Sequence, residues 1–153
     1  MESKLKHLEL IQGVINRLAS DSFRMKGWTV VLVAALFVLL IRQNAFDAGY
    51  IALLPIVAFW GLDGYFFWQE RLFRAHYDNV RKLPAESIDF SMDVRAYKGS
   101  LRHSWPGTMF SRTLTLFYGA MLVLVLLTMF AVGGEPDIAA ALGAPHALIS
   151  GNG

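Results

Sequence analysis

The chain contains no cysteine, which excludes disulfide bonds, thiolate metal sites and a cysteine nucleophile. Charged residues are also scarce: they make up 17% of the 153 residues and cluster outside long apolar runs. Hydrophobic residues make up 55%, and the mean hydropathy of +0.43 is above the range usual for soluble domains. The composition therefore indicates a single domain that lies mostly in or against a membrane.

The longest uncharged run covers residues 113–133. A helix of about 21 residues crosses the roughly 30 Å hydrocarbon core of a bilayer at about 1.5 Å per residue. Two further apolar segments lie at residues 27–42 and 49–68. The sequence therefore predicts an all-α integral membrane protein with three transmembrane helices. The main alternative is two crossings, with the first segment lying flat or buried.

An amphipathic cytoplasmic helix is predicted over residues 3–22, since apolar positions recur there at three- and four-residue spacing. The stripe consists of Leu5, Leu8, Ile11, Ile15, Leu18 and Ser22. This helix is expected to lie on the membrane surface, to pack on other cytoplasmic helices, or to meet its copies in an oligomer.

The connections are predicted from turn residues and helix breakers. Residues 42–48 are a turn that joins the first two crossings as a hairpin. Pro55 is expected to kink the second crossing or weaken a hydrogen bond in it. Residues 69–112 form a cytoplasmic helical segment and loop, with a short helix expected over 91–103, and residues 134–153 form a flexible extracytoplasmic tail.

Lysine and arginine are distributed unevenly along the chain. Five of the 14 precede the first apolar segment, eight lie between the second and third, and Arg42 alone falls on the other side. The positive-inside rule therefore predicts a bacterial inner-membrane protein with a cytoplasmic amino terminus and an extracytoplasmic carboxyl terminus. Topology also explains the basic pI without nucleic acid as a partner. The chain's start lacks the apolar core and cleavage site of a secretory signal, so the first membrane helix is expected to be retained.

Asp63 is an ionisable residue inside a predicted crossing, and such residues are functional candidates because burying a charge in lipid is costly. It is predicted to line a pore, relay protons or bind a cation, with Trp60, Gly61 and Gly64 beside it. Alternatively, it is a structural carboxylate that bonds Trp60, Tyr65 or Tyr118, or pairs with an arginine of a neighbour. The glycines then serve helix packing.

Aromatic and basic side chains mark the predicted membrane interfaces, where indole rings lie at headgroup level and amines reach water. The predicted anchors are Lys26, Trp28, Tyr65, Trp68 and Trp105. A second set is predicted to contact anionic lipid or a soluble partner, with RNA a weaker alternative. It consists of Arg71, Arg74, Tyr77 and Arg81.

No enzyme, metal or cofactor is predicted. The four histidines do not pair at metal-binding spacing, and the sequence has no phosphate-binding glycine loop, nucleophile elbow or paired-carboxylate motif.

Two stretches within residues 8–82 carry a resemblance to a known family. They are residues 8–18 with Ser22, Phe23 and Lys26–Trp28, and Phe59–Asp63 with Tyr65, Gln69–Arg74, Tyr77 and Asp78. These stretches resemble the SLATT-like small bacterial membrane proteins associated with anti-phage defence, with membrane accessory proteins of type VI-B CRISPR or RADAR loci as possible relatives. The resemblance implies an oligomeric effector that permeabilises or depolarises the inner membrane when a partner signals infection.

The function expected from these observations is such an oligomeric pore-forming effector. Two alternatives stay open. One is a membrane anchor or scaffold whose cytoplasmic loop recruits a soluble partner, and the other is a channel or transporter subunit in ordinary physiology.

Overall fold

The computed structural model describes residues 2–43, 46–99 and 104–133, so the predicted tail at 134–153 lies outside the described residues. Of the described residues, 86% are helical and none is in a strand. The α-helices are α1 (Glu2–Arg42), α2 (Leu53–Val80), α3 (Trp105–Met109) and α4 (Arg112–Gly133). A 3-10 helix, Phe46–Ala52, leads into α2, and short 3-10 turns lie at Ala85–Ser87 and Arg95–Tyr97.

Three of the described helical segments are long and apolar enough to cross a membrane: Glu2–Arg42, Ala48–Val80 and Arg112–Ala131. The predicted all-α class with three such helices is confirmed. The amphipathic segment and the first apolar segment are one unbroken helix, α1. The second apolar segment likewise continues as helix α2 to Val80 and ends four residues before Pro84.

Helices α1 and α2 pack antiparallel along their lengths. Lys4 Nζ donates to the carbonyl oxygens of Arg81 and Leu83, at the far end of the pair from the turn that joins the helices. Val33 of α1 packs near Ala52 and Ile56, close to that turn. The two helices therefore form a hairpin that extends well beyond the apolar segments.

Two hydrophobic clusters stabilise the hairpin. The first lies among the apolar segments and includes Val33, Ile56, Leu114 and Tyr118, so α4 packs here against α2. The second includes Ile11, Ile15, Val80 and Ile88. It joins residues 2–21 of α1, residues 69–80 of α2 and the connection 81–99, which together we call the base.

The buried stripe of α1 differs from the predicted one at its amino-terminal end. Ile11, Ile15 and Ser22 are buried as expected, but Leu5 is 57% exposed and His7 is buried in its place. The stripe then continues through Thr29 to Val33. Because α2 runs alongside α1 over this whole length, the same face of α1 stays buried from the base into the apolar segment.

Pro55 was predicted to kink the second crossing or weaken a hydrogen bond in it, but it is the third residue of α2. The N–H groups of a helix's first turn have no partner within that helix, so a proline there removes no α-helical hydrogen bond. The 3-10 helix ends just before this turn, so the chain changes helix type where proline is tolerated.

The short α-helix predicted over 91–103 does not form in its described part, residues 91–99. The side chains of Asp89, Ser91 and Asp93 each accept a hydrogen bond from the backbone N–H two residues further on. Such local bonds compete with helix formation. Hydrogen bonds from the Arg95 side chain lower the pKa of Asp93 from 3.8 to about 2, so this acceptor keeps its charge at neutral and mildly acidic pH.

Candidate functional site

The candidate site is built around Asp63, which is fully buried at 0% exposure. Lys26 Nζ of α1 lies 2.6 Å from Asp63 Oδ2 and also donates to Ser22 Oγ at 3.0 Å. Ser22 Oγ donates to Asp63 Oδ1, and Tyr118 OH of α4 donates to Asp63 Oδ2 at 3.1 Å. We call Ser22, Lys26, Asp63 and Tyr118 the Asp63 cluster; it connects all three long helices.

The antiparallel hairpin explains why these residues meet. Ser22 and Lys26 are four residues apart, so they lie on the same face of α1 as the buried stripe. Counting outward from the middle of the turn at 42–48 places Lys26 level with Asp63. The predicted hairpin therefore indicates that Lys26 and Asp63 lie at one level of the bundle, but it does not specify that their side chains face each other.

A carboxylate in an apolar bundle is tolerated when a counter-ion and hydrogen-bond donors satisfy it. Asp63 has one ammonium and two hydroxyl donors, all from its own chain. The sequence alternatives included a bond to Tyr118, and the structure contains that bond. The counter-ion, however, is Lys26 rather than an arginine of a neighbour. In this conformation Asp63 therefore connects helices and does not line an open path.

Trp60 and Tyr118 form the aromatic side of the site. Their rings are stacked, with centroids 5.8 Å apart and planes only 8° from parallel. The other two partners predicted for Asp63 bond elsewhere. Trp60 Nε1 donates to the carbonyl oxygen of Met109 at 2.9 Å, and Tyr65 OH accepts a hydrogen bond from Gln69. Trp60 thus packs against the ring of Tyr118, whose hydroxyl donates to Asp63, and its hydrogen bond to Met109 links α2 to the short helix α3.

Helix α3 packs on the glycine-containing face of α2. Trp105 Nε1 donates to the carbonyl oxygen of Gly61 at 3.2 Å. A Cβ atom on Gly64 would lie 2.5 Å from Met109 Cγ, closer than side chains approach, whereas one on Gly61 would meet nothing within 4 Å. Gly64 therefore serves close packing, and Gly61 takes part through its carbonyl group.

The predicted interfacial anchors differ in how far their side chains are exposed. Lys26 was expected to reach water, but its ammonium group turns inward to Asp63, because a buried carboxylate offers it a stronger partner. Trp28, Tyr65 and Trp105 are exposed, and their place at a membrane interface stays a prediction. Trp68 is partly buried, with Lys98 Nζ 5.4 Å from the centre of its ring.

The four residues predicted to contact a partner or lipid do not form one surface. Arg71 lies over the ring of Phe67, Arg74 pairs with the buried Glu70 at 2.7 Å, and Arg81 pairs with Asp78 at 3.2 Å. Tyr77 packs instead into the cluster that contains Ile11. A shallow groove of about 520 Å³ lies on the outside of the base, lined by Arg71, Arg74, Ala75, Asp78, Asn79 and Lys82.

The fold brings together two histidines that lie far apart in sequence. The rings of His7 and His76 are edge to face at 6.1 Å, and the buried Nε2 of His7 has no hydrogen-bond partner among the described residues. His76 Nε2 lies 2.9 Å from the carbonyl oxygen of Ser91, so this nitrogen is the donor. No group of three metal-ligating side chains occurs among the described residues, and His103 and His146 lie outside them.

Replacing Tyr118 by phenylalanine tests the hydroxyl separately from the ring. Tyr118→Phe keeps the stack on Trp60 but removes a buried donor to Asp63, so we expect a loss of about 1–2 kcal/mol in stability. For a chain of this length that is a fall of roughly 4 °C in the thermal midpoint, measured in detergent micelles. Tyr50→Phe, at an exposed tyrosine, is the matched control. An unchanged midpoint in Tyr118→Phe would show that this hydrogen bond contributes nothing.

Comparison of the chain with protein-family models, curated proteins and solved structures finds no match. The case for a function therefore depends on the Asp63 cluster and on the helices that carry it.

Proposed function

We propose that this protein is an oligomeric inner-membrane effector that permeabilises the membrane, and that the Asp63 cluster holds its closed state. The observation that carries the proposal is the pair between the partly exposed Lys26 and the fully buried Asp63, which lies close to the level where the apolar segments of α1 and α2 meet the base. Because both helices continue unbroken through this point, a displacement of the base is transmitted directly to the pair.

Separation of the helices would change the environment of Asp63 sharply. In the closed conformation its charge is satisfied within the chain. Once Lys26 or Tyr118 moves away, the carboxylate requires water or another cation, because an unpaired charge is costly in an apolar medium. An opened bundle would therefore favour hydration of this region and place a carboxylate on the water-filled path.

The proposal requires several copies, since three helices do not surround a channel by themselves. Much of the apolar surface of α4 is not covered by the part of the chain that the structure describes: Phe130 is 81% exposed and Leu116 is 77% exposed. This surface is available to lipid or to further copies. Phage infection as the trigger rests on the family resemblance alone, and the exposed basic residues of the base are the proposed receiving surface for the signal.

Membrane potential in expressing cells tests the proposal. We expect the wild-type protein to leave the membrane polarised until infection, whereas Asp63→Asn depolarises it without infection because the closed state loses its ion pair. The charge-exchanged variant with Lys26→Asp and Asp63→Lys should restore the seal. Asp78→Asn, which removes an exposed carboxylate paired with Arg81, is the matched control.

The amount of each variant in the membrane fraction is measured first. A variant that fails to insert is then not mistaken for one that inserts and leaves the membrane polarised. Equal potentials in inserted Asp63→Asn and wild-type protein would reject the role of the Asp63 cluster. A membrane that also stays polarised on infection would reject permeabilisation altogether.

The groove on the outside of the base favours a second candidate, a membrane anchor that recruits a soluble cytoplasmic partner. Arg71, Arg74 and Lys82 give the groove a basic rim beside Asp78 and Asn79. A variant with glutamate at the three basic positions should lose the co-purifying partner and leave the membrane sealed. Arg17→Glu, at an exposed basic residue of α1, is the control. Retained partner binding in the triple variant would exclude this groove as the recruiting surface.

A further inference from the structure

A groove of about 820 Å³ runs along α4 beside the Lys26 side of α1. Its lining residues are Lys26, Arg112, Thr113, Leu116, Phe117, Ala120, Met121 and Leu124. Helix α4 packs mainly on α2, which leaves this flank of α4 uncovered by the other described residues. The groove is basic at one end and apolar along the rest of its length.

The basic end lies at the boundary between polar and apolar sequence. Arg112 is the first residue of α4 and has no hydrogen-bond or ion-pair partner among the described residues. Lys26 uses two of its three N–H donors on Ser22 and Asp63, and it remains 20% exposed. The amino-terminal end of α4 adds its partial positive charge at the same place.

The apolar wall has the length of a lipid chain in one leaflet. The distance from Arg112 to Leu124 along α4 is about 18 Å at about 1.5 Å per residue, slightly more than half of the roughly 30 Å hydrocarbon core. We infer that this groove is a binding site for one anionic phospholipid, whose phosphate contacts Arg112 and Lys26 and whose acyl chain lies along Leu116, Ala120 and Leu124. Charge complementarity selects the anionic headgroup over a zwitterionic one. The inference does not depend on whether the bundle opens.

The thermal midpoint of the purified full-length chain tests the site. In detergent micelles, dioleoyl phosphatidylglycerol should raise the midpoint by about 7 °C when it is about 100-fold above its dissociation constant. Dioleoyl phosphatidylcholine should raise it much less. Inorganic phosphate should not raise it, because it has no acyl chain to fill the groove.

Two pairs of variants distinguish lipid binding in the groove from two general effects. The first pair controls for loss of a surface charge, and the second controls for a larger side chain on α4. Arg112→Gln should reduce the phosphatidylglycerol shift by at least half, whereas Arg24→Gln, at an exposed arginine that pairs with Asp21, should retain it. Ala120→Phe should reduce the shift by filling the groove, whereas Val123→Phe, on an exposed position of α4 that does not line the groove, should not. Arg112→Gln and Ala120→Phe alter the groove in different ways, so the inference can still be tested if one of them does not fold.

A phosphatidylglycerol shift in Arg112→Gln and Ala120→Phe as large as that of the wild-type protein would overturn the inference. An equal shift with inorganic phosphate would overturn it as well. So would a change in oligomeric state in Ala120→Phe but not in Val123→Phe, because the groove would then be covered by a second copy of the chain. Loss of the shift in both groove variants, with both controls unchanged, would support it.

Discussion

Lys26→Met is expected to destabilise the protein more than Asp63→Asn, although each substitution removes the same ion pair. Without Lys26, the fully buried Asp63 keeps only the hydroxyl donors of Ser22 and Tyr118. Removing one partner of a buried pair costs about 3–5 kcal/mol, so the thermal midpoint should fall by roughly 10 °C. In Asp63→Asn, by contrast, the partly exposed Lys26 can extend its flexible stem toward water. The expected loss is then about 1–2 kcal/mol, or roughly 4 °C.

A double substitution tests whether the asymmetry comes from the unpaired carboxylate. Lys26→Met combined with Asp63→Asn removes both charges, and it should be more stable than Lys26→Met alone. Thermal midpoints of the two single variants and the double variant, measured in one detergent, supply the comparison. Equal losses in the two single variants would show that the unpaired carboxylate adds no cost of its own. Simple addition of the two losses in the double variant would show that Lys26 and Asp63 do not stabilise each other.

Gly64→Ala is expected to destabilise the protein, whereas Gly61→Ala is expected to stabilise it slightly. The added methyl group at Gly64 would lie 2.5 Å from Met109 Cγ, so the Met109 side chain must move, and we expect α3 to shift with it. Such a shift strains the Trp60–Met109 and Trp105–Gly61 hydrogen bonds, at a cost of about 1–3 kcal/mol. At Gly61 the methyl group meets nothing within 4 Å, and the gain in helix propensity is about 0.5–1 kcal/mol.

Thermal midpoints of the two glycine variants form a matched pair, since both place the same methyl group on the same helix only three residues apart. Tryptophan fluorescence is the sum over the four indoles of the chain, and two of these, Trp60 and Trp105, bond at this contact. It should therefore change in Gly64→Ala but not in Gly61→Ala. Equal midpoints in the two variants would show that Met109 rotates away without moving α3.

Several features of this protein follow from local sequence. The three apolar segments are long enough to cross a membrane, and their composition alone predicts helices there, because backbone groups in an apolar medium must be paired within the segment. The turn at 42–48 predicts the hairpin, and the three- and four-residue spacing of Ile11, Ile15 and Ser22 predicts the buried face of α1.

Other predictions were wrong at positions where a contact with residues far away in the sequence outweighs the local sequence pattern. Lys26 beside Trp28 has the local pattern of an interfacial anchor, but the structure offers its ammonium group a buried carboxylate from another helix. Tyr77 was grouped with nearby arginines, yet it packs into the hydrophobic cluster of the base. His7 occupies a buried position that Leu5 was expected to fill, because α2 and Phe90 place aromatic rings against it.

The sequence by itself therefore determined the helical class, the three apolar helices and the presence of a carboxylate among them, since each depends on composition and spacing within one segment. Only the tertiary structure decided what that carboxylate does. Asp63 meets Lys26 and Ser22 across 37 and 41 residues of chain and Tyr118 across 55, through the packing of three separate helices. No local pattern specifies such partners, because which side chains face each other depends on the rotation and register of every helix in the bundle.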